Sequence, residues 1–233
     1  MNPSIHKSSP AAEARVVRCP APWNVKDALR ERFRRMRMAV QARAGEPRCL
    51  GVCSLSEGEG VSWITAKLAC AFAETGEATF VVDAHRTRPA QCQLFDVESV
   101  QGGAVAGAAG LPLVVRPTSW SQLVISTPSA ASPSASASGD GTHPAQLSPE
   151  ALTLLRPLAR YVLVDCESLR ESSQVLQLGP ALDGLLFVVE AERERREAIA
   201  SAIESLERSR IPILGLILNK RRTYIPTFLY RRL

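Results

Sequence analysis

The stretch whose reading decides the fold is Cys49-Leu50-Gly51-Val52-Cys53-Ser54-Leu55-Ser56-Glu57-Gly58-Glu59-Gly60-Val61-Ser62-Trp63. It reads as a buried strand, a glycine-containing loop and the start of an amphipathic helix. That order aims backbone N–H groups and a helix N-terminus at an anion, the layout of a phosphate-binding loop. Loops of the pattern G-x-x-x-x-G-K-[ST] carry a lysine between the last glycine and the hydroxyl residue. Here Val61 stands between Gly60 and Ser62, and Leu55 stands at the first glycine position. Two readings follow: a phosphate loop that has lost its charge, or an accidental likeness. The rest of the chain favours the first.

At 233 residues and 45% hydrophobic, the chain suits one α/β domain with a real core plus some disordered polar sequence. No run reaches the ~18 apolar residues of a spanning helix, and residues 1–10 lack the apolar core of a signal peptide. A cytosolic protein is expected. Cysteines at 19, 49, 53, 70, 92 and 166 show no CxxC spacing. On one strand Cys49 and Cys53 would lie about 13 Å apart, too far to bridge. They read as reduced, buried hydrophobes, and the three histidines have no metal-ligand spacing.

The formal charge of +5 is unevenly placed. Residues 26–43 hold Lys26, Arg30, Arg32, Arg34, Arg35, Arg37 and Arg43 against Asp27 and Glu31, and the C-terminal stretch adds Lys220, Arg221, Arg222, Arg231 and Arg232 without an acid. Two basic ends suggest an acidic protein, anionic lipid or nucleic acid as partner, or simply a solvated face.

Residues 1–23 read as a mobile polar arm. Asn24 is a candidate cap for a helix over 25–44, with Val25, Leu29, Phe33, Met36 and Val40 on one face and arginines opposite. Strands are expected at 48–54, 78–83, 160–165, 183–190 and 211–219, with short candidates at 111–115 and 122–126. Helices follow the loop (Ile64, Leu68 and Phe72 inward, Gly76 as C-terminal cap) and are expected from 148 to about 159 and over 191–208, the last with Ile199, Ile203 and Leu206 inward. Residues 126–146, rich in Ser, Ala, Pro and Gly without apolar periodicity, read as a disordered insertion. Strands alternating with helices predict a doubly wound, mainly parallel sheet whose site lies at the carboxyl ends of the strands. Ser54, Asp83, Asp165 and Asn219 all sit at such ends.

In a nucleoside-triphosphate site of this kind the lysine neutralises phosphate charge, and Ser/Thr plus an acid hold Mg²⁺. Gly58, Gly60 and Ser62 are present, and Asp165 is placed to be the acid. Lys67 is no substitute for the lysine, being roughly 9 Å down the helix axis. Glu57 and Glu59 put negative charge into the loop.

Further along, Val82-Asp83-Ala84-His85-Arg86-Thr87-Arg88-Pro89 resembles the "D-x-D-x-R…P" segment of the bacterial tyrosine kinases, P-loop autokinases of capsule and exopolysaccharide assembly. The resemblance runs from about residue 29 to the C-terminus, broken by the insertion. Residues 57–62 match that family's "P-G-E-G-K-S" loop, and 162–165 match its third motif. Residues 214–219 match its last strand, whose asparagine lies near the base. Glu31, Arg34 and Arg37 fit the E-x-x-R-x-x-R helix through which these kinases pack into rings.

The resemblance implies a three-layer P-loop NTPase fold and a nucleotide site of Gly58, Glu59, Gly60, Val61, Ser62, Trp63 and Asn219. It implies Asp83 and Asp165 as vestigial catalytic acids, with Ser62, Asp83 and Asp165 around Mg²⁺ only if nucleotide binds. Departures from the family are Val61 for the lysine, His85 for the second aspartate, Thr87 for the arginine, and the loss of the tyrosine cluster save Tyr224 and Tyr230. The expectation is a catalytically degenerate, pseudokinase-type protein of exopolysaccharide or capsule production, with no tightly held cofactor and Mg·ATP bound weakly if at all. Its implied partners are the cytosolic region of a membrane polysaccharide co-polymerase, other subunits in a homo- or hetero-oligomer, and an anionic membrane surface; nucleic acid is not expected. Alternatives are a weakly active tyrosine autokinase of the same pathway and a Min/Par-type positioning ATPase.

Overall fold

A computed structural model describes residues 25–44, 48–86, 88–97, 105–106, 113–120, 122–128 and 147–221. The arm, Asn24, the segment from 129 to 146, and Thr87, Tyr224 and Tyr230 lie outside these residues. Within them the chain runs α1 (Asp27–Ala44), β1 (Cys49–Ser54), α2 (Val61–Ala73), β2 (Thr79–Asp83), α3 (Gln91–Leu94), β3 (Val105–Ala106), β4 (Leu113–Pro117) and β5 (Leu123–Pro128). It continues with α4 (Pro149–Leu155), β6 (Tyr161–Asp165), α5 (Gln174–Leu178), β7 (Gly184–Glu190), α6 (Arg196–Arg208) and β8 (Ile213–Asn219).

The strands form one sheet in the order β3-β4-β5-β2-β6-β1-β7-β8. From β5 to β8 every pairing is parallel, while β3 and β4 join the far edge antiparallel. Successive strand residues point to opposite faces, and here both faces are covered. Cys49 and Cys53 of β1 pack on one side with Val164, Phe187, Leu152, Leu178 and Leu206, under α4, α5 and α6. Leu50 and Val52 pack on the other with Leu163, Val188, Ile64, Leu68 and Phe72, under α2 and α1. This explains why the central strands are hydrophobic without alternation.

The expected helix face of α1 is confirmed at Phe33 and Val40, which are buried, with Leu29 and Met36 half-covered. Polar contacts finish the docking. Arg34 makes a two-pronged pair with Glu74 (2.8 Å for each bond), Arg37 donates to the Ala71 carbonyl (2.9 Å), and Gln41 donates to the Tyr161 hydroxyl (2.8 Å).

Several elements differ from the sequence expectation. β5 continues through Pro128, because its pairing with the antiparallel β4 carries it past residue 126. The helix expected to reach 159 ends at Leu155. The helix expected from 191 begins at Arg196, since Glu192 takes a left-handed φ of 65° and the chain turns before it coils. The short α5, which packs Val175 and Leu178 into the core, was not anticipated. Among the described residues no helix is long and apolar enough to cross a membrane.

Candidate functional site

β1, β2, β6, β7 and β8 all release their chains at one rim, around a cleft of about 950 Å³. That volume suits a small-molecule ligand. Gly58, Gly60, Val61, Ser62 and Trp63 line it, as do His85, Arg88, Glu190, Arg193 and Lys220.

The loop between β1 and α2 takes the bend its glycines permit. Gly58 and Gly60 have φ of 77° and 93°, where an L side chain is strained. A Cβ on Gly60 would also collide with the Asn219 amide nitrogen. Three consecutive loop carbonyls are held from outside: Arg193 donates to Glu57 O (2.8 Å), Lys220 to Gly58 O (2.6 Å) and Asn219 to Glu59 O (2.7 Å). With the carbonyls held this way, the N–H groups from Gly58 through Trp63 meet no acceptor among the described residues. These are the groups a phosphate would take.

Glu59 does not face the cleft. Its buried carboxylate folds back and accepts from the N–H groups of Leu55 (3.2 Å), Ser56 (3.4 Å) and Glu190 (3.4 Å). It builds the loop instead of repelling a ligand. Glu57 is tied across the cleft to Arg88 at 2.7 Å. Val61 is nearly buried, an apolar side chain at the lysine position. Trp63 meets Phe33 edge-on at 5.8 Å and carries the Lys67 ammonium over its ring at 5.2 Å. Lys67 itself is buried, which pushes its pKa down. It points away from the role of a phosphate ligand, as its position along the helix implied.

Beneath the loop lie the two strand-end acids, both fully buried and directly abreast in the register of β2 and β6. Asp83 has each oxygen occupied: Oδ1 accepts from His85 N–H (3.2 Å) and Oδ2 from Gln91 N–H (2.8 Å). Burial, and then the charge of Asp165, push Asp83 up to about 6 against those two bonds. Asp165 Oδ2 accepts from the Gln91 side-chain amide (2.7 Å), which also reaches the Ser62 carbonyl (2.9 Å). Asp165 Oδ1 has no hydrogen-bond partner among the described residues and lies 3.5 Å from His85 Nε2. Burial works against a charge on His85, but Asp165, then Asp83 and Glu167, outweigh it and raise its pKa.

The orphaned oxygen of Asp165, with Ser62 at the mouth of the cleft, fits one edge of a Mg²⁺ site; hard oxygen donors are what that ion takes. Asp83 is less available, because its oxygens shape the turn into α3. The structure thus brings the loop, Ser62, Trp63 and Asp165 together, and Asn219 braces the loop. Glu31, Arg34 and Arg37 lie elsewhere, on α1, and two of them are engaged with α2. Sequence reasoning missed Gln91, Arg193 and the contact of Lys220. Lys220 carried a signal, since it directly follows the last parallel strand; Gln91 carried none.

No protein-family model matches the chain. It is similar to tyrosine-protein kinase CpsD of Streptococcus agalactiae, 24% identical over 201 residues that cover 85% of this chain and 86% of that protein. It is also similar to the succinoglycan biosynthesis transport protein ExoP of Rhizobium meliloti, 29% identical over 198 residues, 82% of this chain and 25% of that one. In shape it matches the kinase domain of the Escherichia coli tyrosine kinase ETK, with TM-score 0.63 at 18% identity over 85% of this chain and 79% of the other. It also matches the septum site-determining protein MinD of Pyrococcus horikoshii, complexed with Mg-ADP, with TM-score 0.59 at 20% identity over 79% and 76%. The structural likenesses speak for the P-loop fold, and the sequence likenesses for the lineage. Together these likenesses support a relationship to the bacterial tyrosine kinases of capsule and exopolysaccharide biosynthesis, on a P-loop fold.

Proposed function

We propose that this chain is a catalytically degenerate member of that family, working as a regulatory or scaffold component of capsule or exopolysaccharide production. The observation that supports this most is Val61, an apolar and nearly buried side chain at the position that should neutralise phosphate charge. Phosphoryl transfer depends almost wholly on positioning and electrostatic stabilisation, so such a loss falls on the chemical step. His85 adds to it: an imidazole facing Asp165 takes the place of a carboxylate, and a ring carrying a proton competes with a metal for that oxygen. Were Mg²⁺ and a nucleotide to bind, Ser62 and Asp165 would hold the ion, which would supply charge neutralisation to the phosphate oxygens.

The partner in this reading is the cytosolic region of a membrane polysaccharide co-polymerase. ExoP, matched over a quarter of its length, is named as a transport protein, which supports an association of this fold with export machinery. The contact would use the solvent face of α1, where Glu31, Arg32 and Arg35 are exposed. Self-assembly would use Glu31, Arg34 and Arg37 of that helix, the two arginines only through the parts that their contacts with Glu74 and Ala71 leave exposed. The protein would then work at the inner face of the plasma membrane through its partner.

Complementation tests the reading. In a strain lacking the chain, the Ser62→Ala variant is expected to restore polysaccharide output as fully as wild type, because no Mg·ATP chemistry is needed. Failure of that variant at normal protein levels would contradict it. A weakly active autokinase is the second reading, and one observation favours it: the open row of loop N–H groups.

A further inference from the structure

We infer that Arg193 and Lys220 stand in for the missing loop lysine, so that the loop binds the phosphates of a nucleoside diphosphate with charge brought from the β7–α6 turn and the end of β8. The inference rests on the reading of this cleft as a nucleotide site, not on its catalytic silence.

A loop lysine does two things for a phosphate: it fixes the loop around itself and sets a cation beside the bound charge. Both tasks are performed here from outside the loop. Arg193 and Lys220 grip the carbonyls of Glu57 and Gly58 at 2.8 and 2.6 Å. Those are adjacent peptide units, so the two cations fix the orientation of the loop backbone between them. Both cations also line that cleft, so they remain within reach of an anion seated there.

The backbone around the two side chains is unusual in the same way. Lys220 itself has φ of 54°, and Glu192, just before Arg193, has φ of 65°. Left-handed conformations at non-glycine residues cost free energy, and they tend to persist where a site needs a side chain aimed in one direction. Here the two turns bring the two cations to the same carboxylate, Glu190, at 3.0 and 3.1 Å, and to neighbouring atoms of the loop. One acid is thus shared by two bases, with Glu59 and Glu194 also acting on Arg193. Arg88 is not available in the same sense, being paired with Glu57.

The bland alternative is a surface cluster that neutralises Glu190 and braces a vestigial loop. The two accounts differ in what a lysine at position 61 would do. Calorimetry of the full chain with Mg·ADP, beside thermal unfolding without ligand, separates them. Wild type is expected to bind, and Lys220→Ala and Arg193→Ala each to bind at least about tenfold more weakly, as loss of a charge-assisted contact implies. Lys220→Arg and Arg193→Lys should keep most of the affinity. Adding Val61→Lys to Lys220→Ala should restore it, because the charge returns by the family's own route. The inference is overturned if the alanine variants bind as wild type does, or if wild type shows no binding up to millimolar Mg·ADP. It is equally overturned if the lost affinity follows a lost melting temperature and Val61→Lys does not rescue it. None of these outcomes concerns phosphoryl transfer, which is what would sink the scaffold reading.

Discussion

Gln91 donates its side-chain amide to Asp165 at 2.7 Å, under the loop and wholly out of solvent. The same residue gives its backbone N–H to Asp83 at 2.8 Å, so one glutamine serves both buried acids and, through the Ser62 carbonyl, the first turn of α2. Gln91→Ala would leave a buried carboxylate short of a donor. The expected cost is roughly 2–3 kcal/mol, seen as a lower urea midpoint at unchanged slope. A cost under about 0.5 kcal/mol would show that solvent replaces the amide and that this bridge is not structural.

The fold was legible because the chain's pattern is simple. Uninterrupted apolar strands such as 162–164 and 185–189 require cover on both faces, and glycines at 58 and 60 announce the one turn where backbone must be bare. The site was legible in part. Asp83, Asp165 and Asn219 were reachable from the rule that parallel strands end at the ligand, and Ser62 from its place after Gly60 in the loop pattern. Their roles were not, because which oxygen an acid offers depends on partners distant in sequence: Gln91 for both acids, and Glu59 O for Asn219. The charge in the loop misled in one respect. Glu59 reads as a repulsive acid, yet it accepts from three backbone N–H groups and becomes part of the loop's frame.

Asp183 gives an acid-sensitive contact remote from the cleft. Its carboxylate accepts from the N–H groups of Arg48 and Cys49 and from Arg156, each at 2.8 Å. Burial works against its charge, but the Cys49 N–H, then Arg156 and Arg48, hold its pKa below the usual carboxylate range. A depressed acid stabilises the fold above its unfolded-state pKa, and that contribution is lost as pH falls through the folded value. Asp183→Asn should therefore cost about 1–2 kcal/mol at pH 7, allowing for partial exposure, and should flatten the loss of stability below pH ~4. Chemical denaturation of both proteins across pH 2.5–7 would check it; parallel acid limbs would be the contrary result.

The thiols should be quiet. Burial pushes Cys49 and Cys70 up to about 12 and raises Cys53 and Cys166 further, while Cys92 is only half-buried. Because the thiolate is the reactive form, iodoacetamide at pH 8 should leave peptides bearing Cys49, Cys53, Cys70 and Cys166 unlabelled until denaturant is added. Prompt labelling of any of the four in native buffer would mean that the sheet opens there.

The α1 helix carries two separable roles. Arg34 is spent on Glu74, so Arg34→Ala is expected to speed hydrogen exchange along α1 whatever the oligomeric state. Glu31 is exposed and, among the described residues, pairs within its own helix, with Arg35 at 3.2 Å and more loosely with Arg34 at 3.9 Å. Glu31→Arg should therefore leave exchange unchanged and shift the sedimentation of any assembly toward the monomer. An assembly insensitive to Glu31→Arg would remove this face from the interface.

The most direct test of catalytic degeneracy is phosphoryl transfer itself. The purified full chain, incubated with γ-labelled Mg·ATP at millimolar concentration, carries three tyrosines to examine, Tyr161, Tyr224 and Tyr230. No label above a Ser62→Ala control is expected on any of them. Stoichiometric labelling of Tyr224 or Tyr230, lost in that control, would contradict it and make the chain a working tyrosine kinase.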